Sequence, residues 1–121
     1  MDERTFEQTV REALESLPPE FAQHLQNIEV LIEAAPTWEH RRAVGLGPGY
    51  TLYGLYQGVP LTERVGGAPP LPDVITIFRE PLVHDFHERD ALRQQVRRTV
   101  LHEIAHFFGI SDDRLRELDA Y

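Results

Sequence analysis

The sequence predicts an α+β fold, because helical patterns at both ends of the chain enclose three short segments that resemble strands. The chain has 121 residues, a length typical of one domain with one modest hydrophobic core. We therefore expect residues 1–121 to form a single domain.

The N-terminal segment has the pattern of an amphipathic helix. Thr5 begins a capping box with the glutamine three residues later, and apolar side chains then recur at helical spacing. These side chains are Phe6, Val10, Ala13, Leu14 and Leu17. Pro18–Pro19 should stop the helix, since proline has no amide hydrogen to donate. We expect residues 20–26 to add one more turn that buries Phe21 and Leu25.

Apolar, β-branched and aromatic residues indicate the three strands. They span residues 28–33, 52–57 and 74–78. Gly54, inside the second strand, indicates a bulge or a close approach by another backbone. Glycine and proline are frequent in residues 37–50 and 66–72, which predicts loops there.

The last third of the chain is predicted to be helical. Asp90 is a suitable cap for a long helix that runs through Phe108. Its early turns are amphipathic, whereas its last turns have almost no polar face, so we expect that end to be buried. Gly109 can adopt the left-handed conformation that closes a helix. Residues 111–118 predict a short final helix.

Composition excludes several classes of chemistry. The net charge is −8, and all 12 basic residues are arginines. Such an acidic domain is a poor candidate for nucleic-acid binding, which depends on cationic contacts with phosphate. The absence of cysteine excludes disulfides and thiol nucleophiles, and the absence of lysine excludes Schiff-base chemistry. No apolar run is long enough to span a membrane, and the N-terminus lacks a signal-peptide pattern, so we expect a cytoplasmic protein.

The segment His102-Glu103-Ile104-Ala105-His106 carries the clearest chemical signal. Two histidines one helical turn apart lie on the same face, so both rings can reach one metal ion. Glu103 projects close to that face and can take a proton from a water on the same ion. The simpler alternative is that both histidines are core residues held by hydrogen bonds. Polar groups in apolar surroundings are costly without partners, and either a metal ion or hydrogen bonds would offset that cost.

A third ligand is expected just beyond the end of this helix. Asp112 is the leading candidate, and a third ligand leaves one tetrahedral position open for water, as in catalytic zinc sites. Asp113 is a competing candidate and Glu117 a weaker one. Asp112 also suits the first turn of the final helix, where the helix dipole favours an acid.

Other polar residues have simpler interpretations. Residues 84–87, with two histidines and an aspartate, have the spacing of a second metal site, but they follow Pro81 and fit a solvated loop better. His24 and His40 are expected at the surface. Three tyrosines are possible hydrogen-bond donors to an oxyanion, although packing roles are more ordinary. They are Tyr53, Tyr56 and Tyr121.

The sequence resembles a known family. His102-Glu103-x-x-His106-x-x-Gly109-x-x-Asp112 matches the Asp-zincin signature. The segments that carry the likeness are 55–64, 71–73, 75–79 and 102–115, the last of which contains the motif. Together they are similar to small bacterial proteins described as minimal zincin-like metallopeptidases, and the likeness extends over nearly the whole chain from Phe6 onward.

The resemblance implies a reduced zincin-like fold, with a small mixed sheet packed against the N-terminal helix and the HExxH helix. It implies a Zn²⁺ ion at His102, His106 and Asp112, with Glu103 as general base. Larger zincins have a Met-turn, but the only methionine here is Met1. Little sequence follows the motif, so a complete substrate cleft is not expected in an isolated monomer.

The leading hypothesis is hydrolysis of a peptide bond by metal-activated water. The extended peptide would lie along an exposed sheet edge, formed by residues 52–57 or 74–78. The alternative is a non-catalytic module that binds a peptide or protein segment, with structural metal or none. A third possibility is a peptidase completed by a partner subunit, for example in a dimer.

Overall fold

The computed structural model describes residues 2–45, 51–58, 73–109 and 111–117. In chain order, the elements are α1 (Glu3–Glu15), α2 (Pro19–Ala22), a 3₁₀ turn (Gln23–Asn27), β1 (Ile28–Glu33), α3 (Trp38–Ala43), β2 (Gly54–Gln57), β3 (Asp73–Phe78), α4 (Arg79–Asp85), α5 (Arg89–Phe108) and α6 (Asp112–Glu117). This confirms the α+β class. No helix in the described ranges combines the length and apolarity needed to cross a membrane.

In the described ranges, the three strands form one mixed sheet in the order β1-β3-β2. β1 pairs parallel with β3, and β2 pairs antiparallel with it. β3 is therefore the central strand, with both of its edges paired. This contradicts the proposal of residues 74–78 as a substrate-binding edge and leaves residues 52–57 as the surviving candidate.

One face of the sheet forms the hydrophobic core with α1 and α5. Ile75 and Ile77 of β3 are fully buried in this core. Buried side chains of the helices complete it: Phe6, Val10 and Ala13 from α1, Phe21 from α2, and Leu92, Val96, Val100, Leu101, Ile104 and Ala105 from α5. The predicted burial is confirmed for Phe21 and, at the apolar end of α5, for Leu101, Ile104 and Ala105. Leu25, which was also expected to be buried, is only half-buried.

The N-terminal helix begins earlier than its sequence pattern predicts. Asp2 is the N-cap, and its Oδ1 accepts the N–H of Thr5 at 2.7 Å. Thr5 is therefore inside α1 and does not cap it. Both residues are good caps, but a helix capped by Asp2 gains the extra turn that precedes Phe6.

Two segments predicted as loops contain helices. Thr37 caps α3 through a capping box, in which its hydroxyl accepts the His40 N–H and His40 Nδ1 accepts the Thr37 N–H. The box was missed because histidine replaces the usual Glu or Gln. α4 accommodates Pro81 as its third residue, where a helix does not need an amide hydrogen. The remainder of the first predicted loop, residues 46–50, and the second, 66–72, lie outside the described residues.

The long C-terminal helix matches its prediction except at its start. Its N-cap is Glu88, and Asp90 lies in the first turn. The helix continues to Phe108 and closes at Gly109, whose φ of 69° is left-handed, as predicted. In the short helix that follows, the Ser111 hydroxyl accepts the Arg114 N–H at 3.2 Å.

Candidate metal centre

The last turns of α5 hold the HExxH motif. Because α5 is continuous from Arg89 to Phe108, His102 and His106 are one turn apart on the same face. His102 and Glu103 are half-buried. The left-handed turn at Gly109 redirects the chain, and Asp112 begins α6. The side chains of His106 and Asp112 lie outside the described part of the molecule, so their roles as ligands stay predictions.

Glu103 is held by the edge strand of the sheet. Its Oε2 accepts the backbone N–H of Tyr56 in β2 at 3.1 Å, across 47 residues of sequence. A carboxylate that accepts a hydrogen bond from an ordered backbone amide has a restricted orientation. The contact therefore places the glutamate of the motif against the edge of the sheet.

The pairing of β2 explains why this amide is directed towards α5. The Phe78 N–H donates to the Tyr53 carbonyl at 2.9 Å. In an antiparallel pair, successive residues direct their amides alternately towards and away from the partner strand. Tyr56 is an odd number of residues from Tyr53, so its N–H points away from β3 and is available to Glu103.

The sequence predicted a bulge or a close approach by another backbone at Gly54, and the structure shows a close approach whose nearest atom belongs to a side chain. A Cβ on this residue would lie 2.7 Å from Thr99 Cγ2 and 3.2 Å from the Thr76 carbonyl oxygen. The nearest atom thus belongs to a helix side chain of α5, and the second is a backbone atom of the adjacent strand. No sequence pattern indicated Thr99 as the neighbour.

The hydroxyls of two candidate oxyanion donors are bound to carboxylates. Tyr56 donates to Asp73 Oδ2 at 2.6 Å, and Tyr53 donates to Asp85 Oδ2. Asp73 is only 8% exposed, so the Tyr56 hydroxyl satisfies a carboxylate that would be costly to bury alone. Sequence reasoning missed Asp73, whose only signal was an acid directly before a strand. Tyr121, the third candidate, lies outside the described residues.

Residues 84–87 span the last residues of α4 and the start of its connection to α5. Among the described side chains, no three histidine or carboxylate groups come close enough to hold an ion. His84 is 87% exposed, with its Nδ1 2.9 Å from Asp85 Oδ1. The hydrogen bond from Tyr53, with a smaller effect of the one with His84, holds the pKa of Asp85 below its usual range. Burial, with a further effect of Asp85, raises the pKa of Tyr53 to about 12.

His24 and His40 were both expected at the surface, and the structure tests this for His40 alone. His40 packs its ring against Phe78, with ring centroids 5.1 Å apart, and its side chain is largely buried. The side chain of His24 lies outside the part that the structure describes. Neither residue belongs to the HExxH region.

These features define a small α+β protein whose HExxH helix packs beside the edge strand of a mixed sheet. The chain belongs to the zincin-like metallopeptidase family, whose model matches residues 25–121. The match includes the sheet, α5 and α6, whereas α1 and α2 precede it. Comparison with curated proteins finds no significant match.

Proposed function

We propose that this protein is a zinc-dependent peptidase in which Glu103 is the general base. The observation that supports this role most directly is the hydrogen bond from the Tyr56 amide to Glu103 Oε2. It brings the motif carboxylate to the strand edge along which a peptide can pair. Family membership supports the same class of reaction.

The residues present fit a zinc ion. His102, His106 and Asp112 would hold it, since two imidazoles and one carboxylate match the donors of catalytic zinc sites. The continuous α5 supplies the helical spacing that two such imidazoles require. When bound, zinc supplies Lewis acidity and lowers the pKa of a coordinated water to about 7. The same donor types also accept other divalent ions.

Glu103 would carry the proton during hydrolysis. Its carboxylate takes a proton from the attacking water and then donates it to the amine of the departing peptide fragment. The Tyr56 N–H keeps Oε2 in place at 3.1 Å, which limits rotation of the carboxylate about its side-chain bonds. A base that is already oriented loses less conformational freedom when the substrate binds.

We place the substrate along β2. An extended peptide can add to an open strand edge by main-chain hydrogen bonds. Gly54 and Leu55 are buried, whereas Gln57 is exposed and Gly58 half-buried. The accessible end of the strand therefore lies beyond Tyr56, whose outward N–H is already bound to Glu103. Peptide pairing at this end would bring a substrate carbonyl near the proposed metal centre.

The test compares the wild-type protein with Glu103→Gln and His102→Ala. Each is purified without added metal or a metal-binding tag, its zinc content is measured, and the zinc-loaded protein is incubated with a diverse peptide mixture. Mass spectrometry should detect chelator-sensitive products with the wild type. Glu103→Gln should retain zinc and form no products, and His102→Ala should lose zinc.

Two results would contradict the proposal. Hydrolysis that persists in Glu103→Gln would remove Glu103 from the reaction. Zinc-loaded wild-type protein that binds peptides and forms no products would instead indicate the peptide-binding module.

A further inference from the structure

We propose that Gly54 is a positioning residue for Glu103. In this view, the missing side chain lets β2 lie close enough to α5 for the Tyr56 amide to reach the Glu103 carboxylate. The inference rests on the proposed function only for the catalytic meaning of Glu103. Gly54, Tyr56, Thr99 and Glu103 all lie in the described part of the chain.

The two contacts between β2 and α5 are in register. Gly54 lies against Thr99, and Tyr56 contacts Glu103. Two residues of a strand rise about 6.8 Å, and four residues of a helix rise about 6.0 Å. The strand therefore runs along the helix through both contacts, and a displacement at the first is transmitted to the second.

The neighbours of Gly54 have little freedom to move away. Thr99 is only 9% exposed, and its hydroxyl donates to the Gln95 carbonyl at 2.8 Å, which fixes the side-chain rotamer. The second neighbour is the carbonyl oxygen of Thr76 in the central strand. A contact of 2.7 Å between two carbon atoms is well inside their optimal separation of about 3.5–4.0 Å. An added Cβ would thus displace β2 from α5.

The experiment measures amide hydrogen exchange in metal-free protein for four chains. They are the wild type, Gly54→Ala, Thr99→Ser, and the double variant Gly54→Ala/Thr99→Ser. Thr99→Ser removes Cγ2, the clashing atom, and keeps the hydroxyl that donates to Gln95. The Tyr56 amide reports the contact with Glu103. The Phe78 amide, which bonds to Tyr53, is an internal control for the pairing of β2 with β3.

In Gly54→Ala, we expect the Tyr56 amide to exchange on the order of tenfold faster, as for loss of a hydrogen bond to a charged acceptor. The Phe78 amide should stay protected. The double variant should recover most of the Tyr56 protection, because only the milder contact with Thr76 remains. Thr99→Ser alone should exchange like the wild type. Unchanged protection in Gly54→Ala, or no recovery in the double variant, would overturn the proposal.

A second pair of variants keeps the proposal testable where Gly54→Ala does not fold. Glu103→Ala should abolish the protection of the Tyr56 amide, whereas Glu103→Gln retains an acceptor oxygen and should preserve it. Protection that survives in Glu103→Ala would show that the amide is not held by Glu103. If Gly54→Ala unfolds, recovery of folding in the double variant supports the clash with Thr99, and failure to recover contradicts it.

The kinetic measurement separates positioning from general damage. If the protein is a peptidase, Gly54→Ala should lower kcat with zinc content and KM nearly unchanged, and Thr99→Ser should restore kcat in the double variant. A parallel fall in zinc content would indicate structural damage and contradict a positioning role. A wild type without peptidase activity would refute the proposed function and leave the exchange results as the test of this geometry.

Discussion

The guanidinium group of Arg114 in α6 donates to both carboxylate oxygens of Glu20, which lies in α2. Glu20 precedes the region matched by the family model, whereas α6 begins at the candidate ligand Asp112. Hydrogen bonds from Arg114 to Glu20, and then to Glu117, raise the pKa of the guanidinium further above its ordinary value. This ion pair therefore connects the N-terminal helices to the helix that follows the HExxH motif.

The Glu20–Arg114 pair should contribute to zinc affinity by docking α6. Glu20→Gln should weaken zinc binding about two- to fivefold at low salt, the range expected for an exposed ion pair. The difference should shrink as ionic strength rises. Zinc competition with a chelator measures the affinity, and the charge swap Glu20→Arg/Arg114→Glu should restore it.

Glu12→Gln is the matched control for this prediction. Glu12 also precedes the family match and pairs with two arginines, Arg89 and Arg93, at the opposite end of α5 from the motif. Its replacement should leave zinc affinity unchanged. Equal affinities for wild type and Glu20→Gln would mean that the pair does not influence the metal site.

Asp112 and Asp113 should differ sharply as zinc ligands. Asp113 is 89% exposed and its Oδ1 accepts the Arg116 guanidinium at 3.1 Å, so Asp113→Ala should leave zinc affinity near the wild-type value. Asp112→Ala should weaken it more than about a hundredfold, because even outer-shell partners cost about 10–100-fold. Zinc titration of both variants checks this, and the reverse order would identify Asp113 as the ligand.

Gly109→Ala should lower the free energy of unfolding by about 1 kcal/mol, since a left-handed conformation is costly for a residue with a Cβ. Gly109 has a φ of 69°. Within the described part of the chain, no atom beyond Gly109 itself and its neighbours in sequence lies within 4 Å of the position that a Cβ would occupy, so the cost is confined to the backbone. Urea denaturation measures the change. Gly109→Asn should cost less, because asparagine tolerates this conformation better. Equal stability of Gly109→Ala and wild type would contradict the prediction.

The Tyr53–Asp85 hydrogen bond should make stability depend on pH at both extremes. Because the pKa of Asp85 is lowered in the folded state, its contribution is present above the ordinary value of 3.8 and is lost as pH falls through the lowered value. Because the pKa of Tyr53 is raised, its contribution is present below 10.0 and is lost as pH rises through about 12.

Tyr53→Phe tests this pH dependence, since it removes the hydroxyl and keeps a ring to pack against Phe86, whose centroid is 5.7 Å away. The variant should be less stable than the wild type at neutral pH. The difference should narrow towards both acid and strongly alkaline pH. Denaturation at a series of pH values measures it, and a difference that is constant with pH would exclude the hydrogen bond as its source.

Local sequence determined much of this protein. The period of the apolar residues predicted α1 and α5, the β-branched segments predicted the three strands, and glycine at position 109 predicted the left-handed helix end. These features depend on residues near one another in the chain. The HExxH spacing likewise predicted that two histidines share a helix face, because helical geometry alone sets that relationship.

Only the tertiary structure decided which strand is central and which residues of the sheet lie against the HExxH helix. The pairing of β3 with both neighbours excluded it as a binding edge, and the contacts of Glu103 with Tyr56 and of Gly54 with Thr99 join distant segments. Such contacts arise when separate elements bury a common apolar surface, and their register depends on side-chain packing across the core. The spacing of apolar residues within one element does not determine its register against another element, so the sequence pattern alone did not reveal it.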